Sequence, residues 1–181
     1  MGDQAVGLLS DFLRERRLRA ARPFLRGRVL DVGCGVGALA PLCQPDRYLG
    51  IDADDESLAI ARRQHPRHCF APSADPGDRF DVIIMLAVIE HVPDPAAFLG
   101  GFRPHLAPGG RVVLTTPYRR AAWTHALGAR LGLCSRQADE EHEVFFDEPI
   151  MGAAAADAGL RIAEYRRFLF GLNQLFVLEG A

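Results

Sequence analysis

The sequence predicts an α/β protein: a doubly wound, seven-stranded sheet, mostly parallel, closed at one edge by a C-terminal antiparallel hairpin. Three observations carry this. Short apolar runs that suit buried strands alternate with amphipathic helical patterns from residue 28 to residue 117. One run, Phe80 to Ala87, is apolar on both faces, as a central parallel strand is. Finally, Leu160–Phe170 and Gln174–Leu178 are joined by only Gly171-Leu172-Asn173, a connection too short for anything but an antiparallel pair.

Each element follows in order. Residues 4–24 place Val6, Leu9 and Leu13, with Leu8 and Phe12, at spacings of three and four, which gives an N-terminal helix over 1–24 ended by Pro23. The first strand, 28–32, runs into Asp31 and then Gly33-Cys34-Gly35-Val36-Gly37. Ala38 to Cys43 is expected as a short helix, cramped by Pro41. Tyr48 to Asp52 forms a second strand ending in an acid, and Asp54 or Asp55 caps a helix over 56–65. His68 to Ala71 is a third strand and Pro72 to Arg79 a loop. After the central strand, Asp94-Pro95 starts a helix that runs to Leu106 and stops at Pro108-Gly109-Gly110. Arg111 to Thr116 is the fifth strand. Trp123, Leu127 and Leu131 give a helical pattern over 118–132, and Asp147 or Glu148, with Pro149, starts a last helix ending at Gly159.

A chain of 181 residues reads as one domain, 1–181. A net charge of -2 offers no general attraction to nucleic acid or to an anionic membrane. All 21 basic residues are Arg, which removes chemistry that needs a lysine amine, such as Schiff-base formation. Cys34, Cys43, Cys69 and Cys134 lie far apart without C-x-x-C pairing, so they read as free thiols in a reducing cytosol, with no metal site. The first ten residues lack a signal pattern, and Val82–Ile89 is too short to cross a bilayer; a cytoplasmic protein is expected.

In such sheets ligands sit beyond the carboxyl ends of the strands, where the strand order reverses. Gly33-x-Gly35-x-x-Ala38 fits a dinucleotide loop, and Asp52 lies 19 residues past Gly33, placed for ribose hydroxyls. This much indicates an adenosine ligand without choosing it. Asp31, two residues before the first glycine, would repel a pyrophosphate and suits a ligand with an ammonium group.

Taken in order, Asp31-x-Gly33-Cys34-Gly35-x-Gly37, the acid Asp52, Phe80-Asp81-Val82-Ile83, Glu90-His91-Val92-x-Asp94-Pro95, Leu106-x-Pro108-Gly109-Gly110 and Thr116-Pro117 resemble the class I S-adenosylmethionine-dependent methyltransferases. The resemblance is closest to their small-molecule branch, which includes ubiquinone-biosynthesis-type O-methyltransferases, and it covers residues 28–117. It implies a Rossmann-like fold and S-adenosylmethionine as cofactor. Gly33, Gly35 and Gly37, with Cys34 in the same loop, would carry its methionine part, and Asp31 would help hold its amino group. Asp52 would bind the ribose, Ala53 would lie against the adenine, and the backbone around Leu86 would accept from the amino group. Ser73, Ala74 or Asp75 would meet the adenine edge, with Ser73 and Ala74 favoured.

A hydroxyl acceptor calls for a base that titrates near neutrality, which a histidine supplies. His142, in a segment resembling the family's His-x-x-x-Phe on the substrate side, is the first candidate, and His91 after the fourth strand the second; His91 reads more readily as a hydrogen-bonded strut fixing its loop, and His142 equally as an exposed histidine in an acidic run. Residues 118–146 are expected as a substrate-side lid, where Tyr118, Arg119 and Trp123 would meet a small-molecule acceptor, more readily at oxygen than at nitrogen or carbon. No Asn-Pro-Pro-Tyr type signature of base methylation stands at Met85-Leu86-Ala87-Val88. Two other readings remain open: an NAD(P)-binding oxidoreductase on the same loop, and a non-catalytic protein of the same fold that binds the cofactor or a partner.

Overall fold

A computed structural model describes residues 2–118 and 146–181. One sheet holds seven strands in the order β3-β2-β1-β4-β5-β7-β6. They are β1 Val29–Val32, β2 Tyr48–Ile51, β3 Cys69–Ala71, β4 Phe80–Leu86, β5 Leu106–Pro117, β6 Leu160–Phe168 and β7 Asn173–Gly180. Pairs among β1 to β5 are parallel, and β7 runs antiparallel to both β5 and β6. Among the described residues the α-helices are α1 Gly2–Ala21, α2 Asp55–Gln64, α3 Pro95–Phe102 and α4 Glu148–Asp157.

Two apolar layers follow from the period-two alternation of the strands. Leu30, Val32, Ile83, Met85, Val112, Leu114 and Phe176 face Leu99 of α3 and Met151 and Ala155 of α4. On the other face Val29, Val82, Ile84, Val113 and Leu175 face Leu58 and Ala61 of α2, with Leu18 and Ala20 of α1 alongside. The helix starts are chemically specified. Asp54 accepts from the amides of Glu56 and Ser57, Asp94 from Ala97, and Asp147 from Ile150, with Pro at the first turn of α3 and α4.

The structure departs from the sequence reading at three places. No α-helix follows the glycine loop; turns lead instead to a single 3-10 turn, Ala40–Leu42. Gly37 sits at φ +84°, outside helical space, and Pro41 supplies no amide, so a helix cannot nucleate there. Second, α3 ends at Phe102 and not at Leu106, because Pro104 has no N–H to continue the ladder; a 3-10 turn, Arg103–His105, replaces the last turn. Third, β5 begins at Leu106: Phe80 pairs with Leu106 and Val82 with Arg111, so Ala107–Gly110 bulges out of the strand.

Candidate functional site

Register assembles the site. Ala71, Ile51, Val32, Met85 and Leu114 are partners in one row across β3, β2, β1, β4 and β5. One residue further along, Asp52, Gly33, Leu86 and Thr115 stand side by side at the carboxyl edge, with Ser73 and Ala74 just beyond β3. Five strands at about 4.8 Å make this row roughly 19 Å long. Strand order reverses between β1 and β4, and the glycine loop leaves from that point.

The loop is pinned at its start. Gly33 and Cys34 both donate to the Ile51 carbonyl, at 2.9 and 3.0 Å. Gly33 has φ +68°, and a Cβ there would stand 2.6 Å from Val88 Cγ2. Gly37 is likewise hemmed in by His65 and Phe70. Gly35, at φ +51°, meets nothing within 4 Å, so its Cβ side is open. Its amide donates to Asp52 Oδ2 at 2.7 Å while the Asp54 amide donates to Oδ1 at 3.0 Å. Each Asp52 oxygen thus keeps one lone pair for a further donor, the pattern a ribose diol needs. Ala53 follows it, exposed.

Asp31 is 4% exposed inside β1, and its carboxylate accepts from the Tyr48 hydroxyl at 2.7 Å. Burial pushes it up from near 3.8 to about 7; the Tyr48 bond opposes this and Asp52 adds to it. Two carboxyl groups beside the loop make a site for a cation and not for a pyrophosphate. The Cys34 thiol is packed, 7% exposed, and burial pushes it up to about 12, which leaves it no nucleophile.

Leu86 ends β4 half-buried, and Ala87 takes φ +57° while donating to the Thr115 carbonyl at 2.9 Å. A non-glycine residue in left-handed backbone is strained, and here it turns the chain sharply across the row. His91 is exposed on the 3-10 turn Ile89–His91, its amide donating to the Val88 carbonyl. Tyr118 pairs with Phe146, donates its amide to the Leu172 carbonyl and lies under the Arg167 guanidinium, 3.7 Å from its ring centre. Ser73 is exposed, and Ala74 packs against the core beside β3. His142, Arg119 and Trp123, and the 118–146 lid apart from its end residues, lie outside the described residues.

Three residues near this edge were given no role of their own from the sequence. Tyr48 is one; its placement two residues before Gly50, on the same face of β2, was the available clue. Glu90 is 3% exposed with Oε2 unpartnered, and burial pushes its carboxyl up against the pull of its own amide and of Arg17. Gln174 is fully buried and donates to the carbonyls of Phe146 at 2.6 Å and Pro117 at 3.3 Å, tying β7 both to the end of β5 and to the chain that leads into α4. Among the described residues no cluster of three or more His, Cys, Asp or Glu could hold a metal ion, and no helix is long and apolar enough to cross a membrane.

A family model described as a methyltransferase domain matches residues 7–165. The chain is similar to the ubiquinone biosynthesis O-methyltransferase of Paramagnetospirillum magneticum, 40% identical over 118 residues that cover 59% of this chain and 47% of that one. It is 34% identical to the protein of the same name from Parvibaculum lavamentivorans over 165 residues, 81% of this chain and 63% of that one. It thus spans about half to three-fifths of the length of these curated relatives. The magnesium protoporphyrin IX methyltransferase from Synechocystis, solved with bound SAH, shares the fold: TM-score 0.69 and 19% identity, covering 94% of this chain and 84% of that one.

Proposed function

Because the chain belongs to this methyltransferase-domain family, we propose that it transfers a methyl group from S-adenosylmethionine to a small-molecule acceptor, at a hydroxyl oxygen. The observation that carries the reading is the edge row itself, where a glycine loop open at Gly35 lies between a buried Asp31 and a half-satisfied Asp52. Those residues fit a cofactor with an ammonium at one end and a ribose in the middle. They do not fit the pyrophosphate of NAD(P), which would meet two carboxyl groups.

When bound, the cofactor supplies an electrophilic methyl on a sulfonium. The chain's part is to orient. Asp52 holds the ribose and Asp31 the amino group, with the backbone at Leu86 and Ala87 as the opposite wall. Ser73 and Ala74 border the adenine, and Gly33, Gly35, Gly37 and Cys34 form the floor. Holding nucleophile and methyl in line accounts for much of the rate in a displacement in which charge disappears. His142, and after it His91, takes the acceptor's proton, and Tyr118, Arg119 and Trp123 face the acceptor from a lid over 118–146. Residues 1–181 act as one domain, with α1 and the 3-10 turn Arg22–Phe24 leading into β1. The protein works in the cytoplasm on a small molecule, without nucleic acid, a membrane-inserted segment or a bound metal.

Thermal shift tests the ligand. S-adenosylhomocysteine at 100 times its Kd should stabilise the fold by about 2.7 kcal/mol, and NAD should not. Stabilisation by NAD alone would move the assignment to an oxidoreductase. On a hydroxyl-bearing acceptor, replacing both His142 and His91 by Ala should lower kcat by about 10²- to 10⁴-fold. Unchanged turnover would remove the proton-transfer role while leaving the reaction class in place.

A further inference from the structure

We propose that Tyr48 is a positioning residue for the amino-acid end of the cofactor: its hydroxyl holds one oxygen of Asp31 and leaves the other to the ammonium arriving over the glycine loop. This rests on the role given to Asp31 above.

The geometry is built from three residues on two strands. Asp31 and Gly50 are register partners on β1 and β2, and Tyr48 lies two residues before Gly50 on the same face. The phenol crosses its own strand over Gly50 to reach Asp31 at 2.7 Å. Only glycine leaves that path open. A Cβ at position 50 would stand 2.8 Å from Tyr48 Oη, 2.8 Å from Phe70 Cδ1 and 3.0 Å from Cys34 Sγ. The ring itself is fixed: it is 3% exposed, with the edges of His68 and Phe70 against it at centroid distances of 5.4 and 5.6 Å.

Among the described residues the Tyr48 hydroxyl is the one hydrogen-bond partner of the Asp31 carboxyl. The titratable groups around the pair are Asp52 beyond β2, Cys34 in the loop, Cys43 after the 3-10 turn, and His65, His68 and Arg62 from α2 and its exit; β4 presents Ile84. Of these, the Arg62 guanidinium is turned to the Phe70 carbonyl, at 2.9 Å. Asp31 therefore has a neutral donor and no bonded countercharge. A phenol that donates favours the ionised carboxylate, the form a cation binds. Tyr48 in this way sets the pH above which the amino-acid end of the cofactor is gripped.

The test is calorimetry of S-adenosylhomocysteine binding to wild type and Tyr48→Phe between pH 6 and 9, with 5′-methylthioadenosine, which lacks the amino-acid moiety, as the second probe. If the phenol lowers Asp31 by about one pH unit, Tyr48→Phe should bind S-adenosylhomocysteine about fivefold more weakly at pH 7, and equally well by pH 9. Methylthioadenosine should bind both proteins alike. In an Asp31→Asn background, Tyr48→Phe should leave the S-adenosylhomocysteine pH profile unchanged, which checks the coupling even if the single variant folds poorly. Identical pH profiles for wild type and Tyr48→Phe, or equal weakening of both probes, would overturn the proposal. Full-strength binding by Asp31→Asn would instead overturn the role of Asp31 on which it stands.

Discussion

Replacing Asp31 by Asn should remove a loss of stability that the ligand-free protein suffers as pH rises, while weakening its hold on the cofactor. The folded chain keeps the Asp31 proton up to about pH 7, whereas an unfolded aspartate releases it near 3.8. Between those values the folded state binds more protons than the unfolded one, so its stability falls as pH rises. At about 1.4 kcal/mol for each pH unit between the two values, the wild type loses at most about 4 kcal/mol by pH 8. Asn keeps an acceptor for the Tyr48 hydroxyl and carries no charge to desolvate. Its advantage should grow by about 2 kcal/mol between about pH 5.5 and pH 8, whatever pH-independent offset its amide introduces. For a chain of this size that is roughly 4–8 °C in Tm. Thermal melts of both proteins at the two pH values, without ligand, read it directly. A difference between them that does not change with pH would refute the claim that a buried, charge-averse carboxyl sits in β1.

The glycine loop makes a paired prediction. Gly33→Ala drives a Cβ into Val88 at a left-handed φ and should cost about 1–3 kcal/mol in a urea melt. Gly35→Ala, with open space around it, should cost only about 1–2 kcal/mol yet weaken S-adenosylhomocysteine binding at least tenfold by calorimetry. Gln174→Leu leaves the buried Phe146 carbonyl without its donor and should lower stability by about 2 kcal/mol in the same melts. Equal stability of Gln174→Leu and wild type would mean that another donor reaches that carbonyl.

The strands were legible because alternation and terminal acids mark them directly: Asp52 and Phe80–Leu86 stand where their patterns put them. Helix starts were legible for the same local reason, since Asp54, Asp94 and Asp147 cap within three residues. The missing helix after Gly37 was not. Its apolar spacing is helical, but a positive φ and Pro41 act on nucleation, which spacing does not report. Tyr48 was missed because its meaning lies across strands; only the register of β1 with β2 places its hydroxyl at Asp31. Ala87 gave no warning either, because a left-handed alanine is imposed by its surroundings and not by its own side chain.

The interior place of β7 bears on how the chain is made. Leu175, Phe176, Val177 and Leu178 are essentially without solvent contact, between β5 and β6, although they are synthesised well after β5. At roughly 5–20 residues per second, the about 60 residues from the end of β5 to the end of β7 take roughly 3–13 s to synthesise. Throughout that interval the apolar edge of β5 has no partner strand, and an unpaired edge invites pairing with other chains. The nascent protein therefore passes through a window in which its cofactor row is already encoded but its sheet is open, and in that window a chaperone has the most to protect.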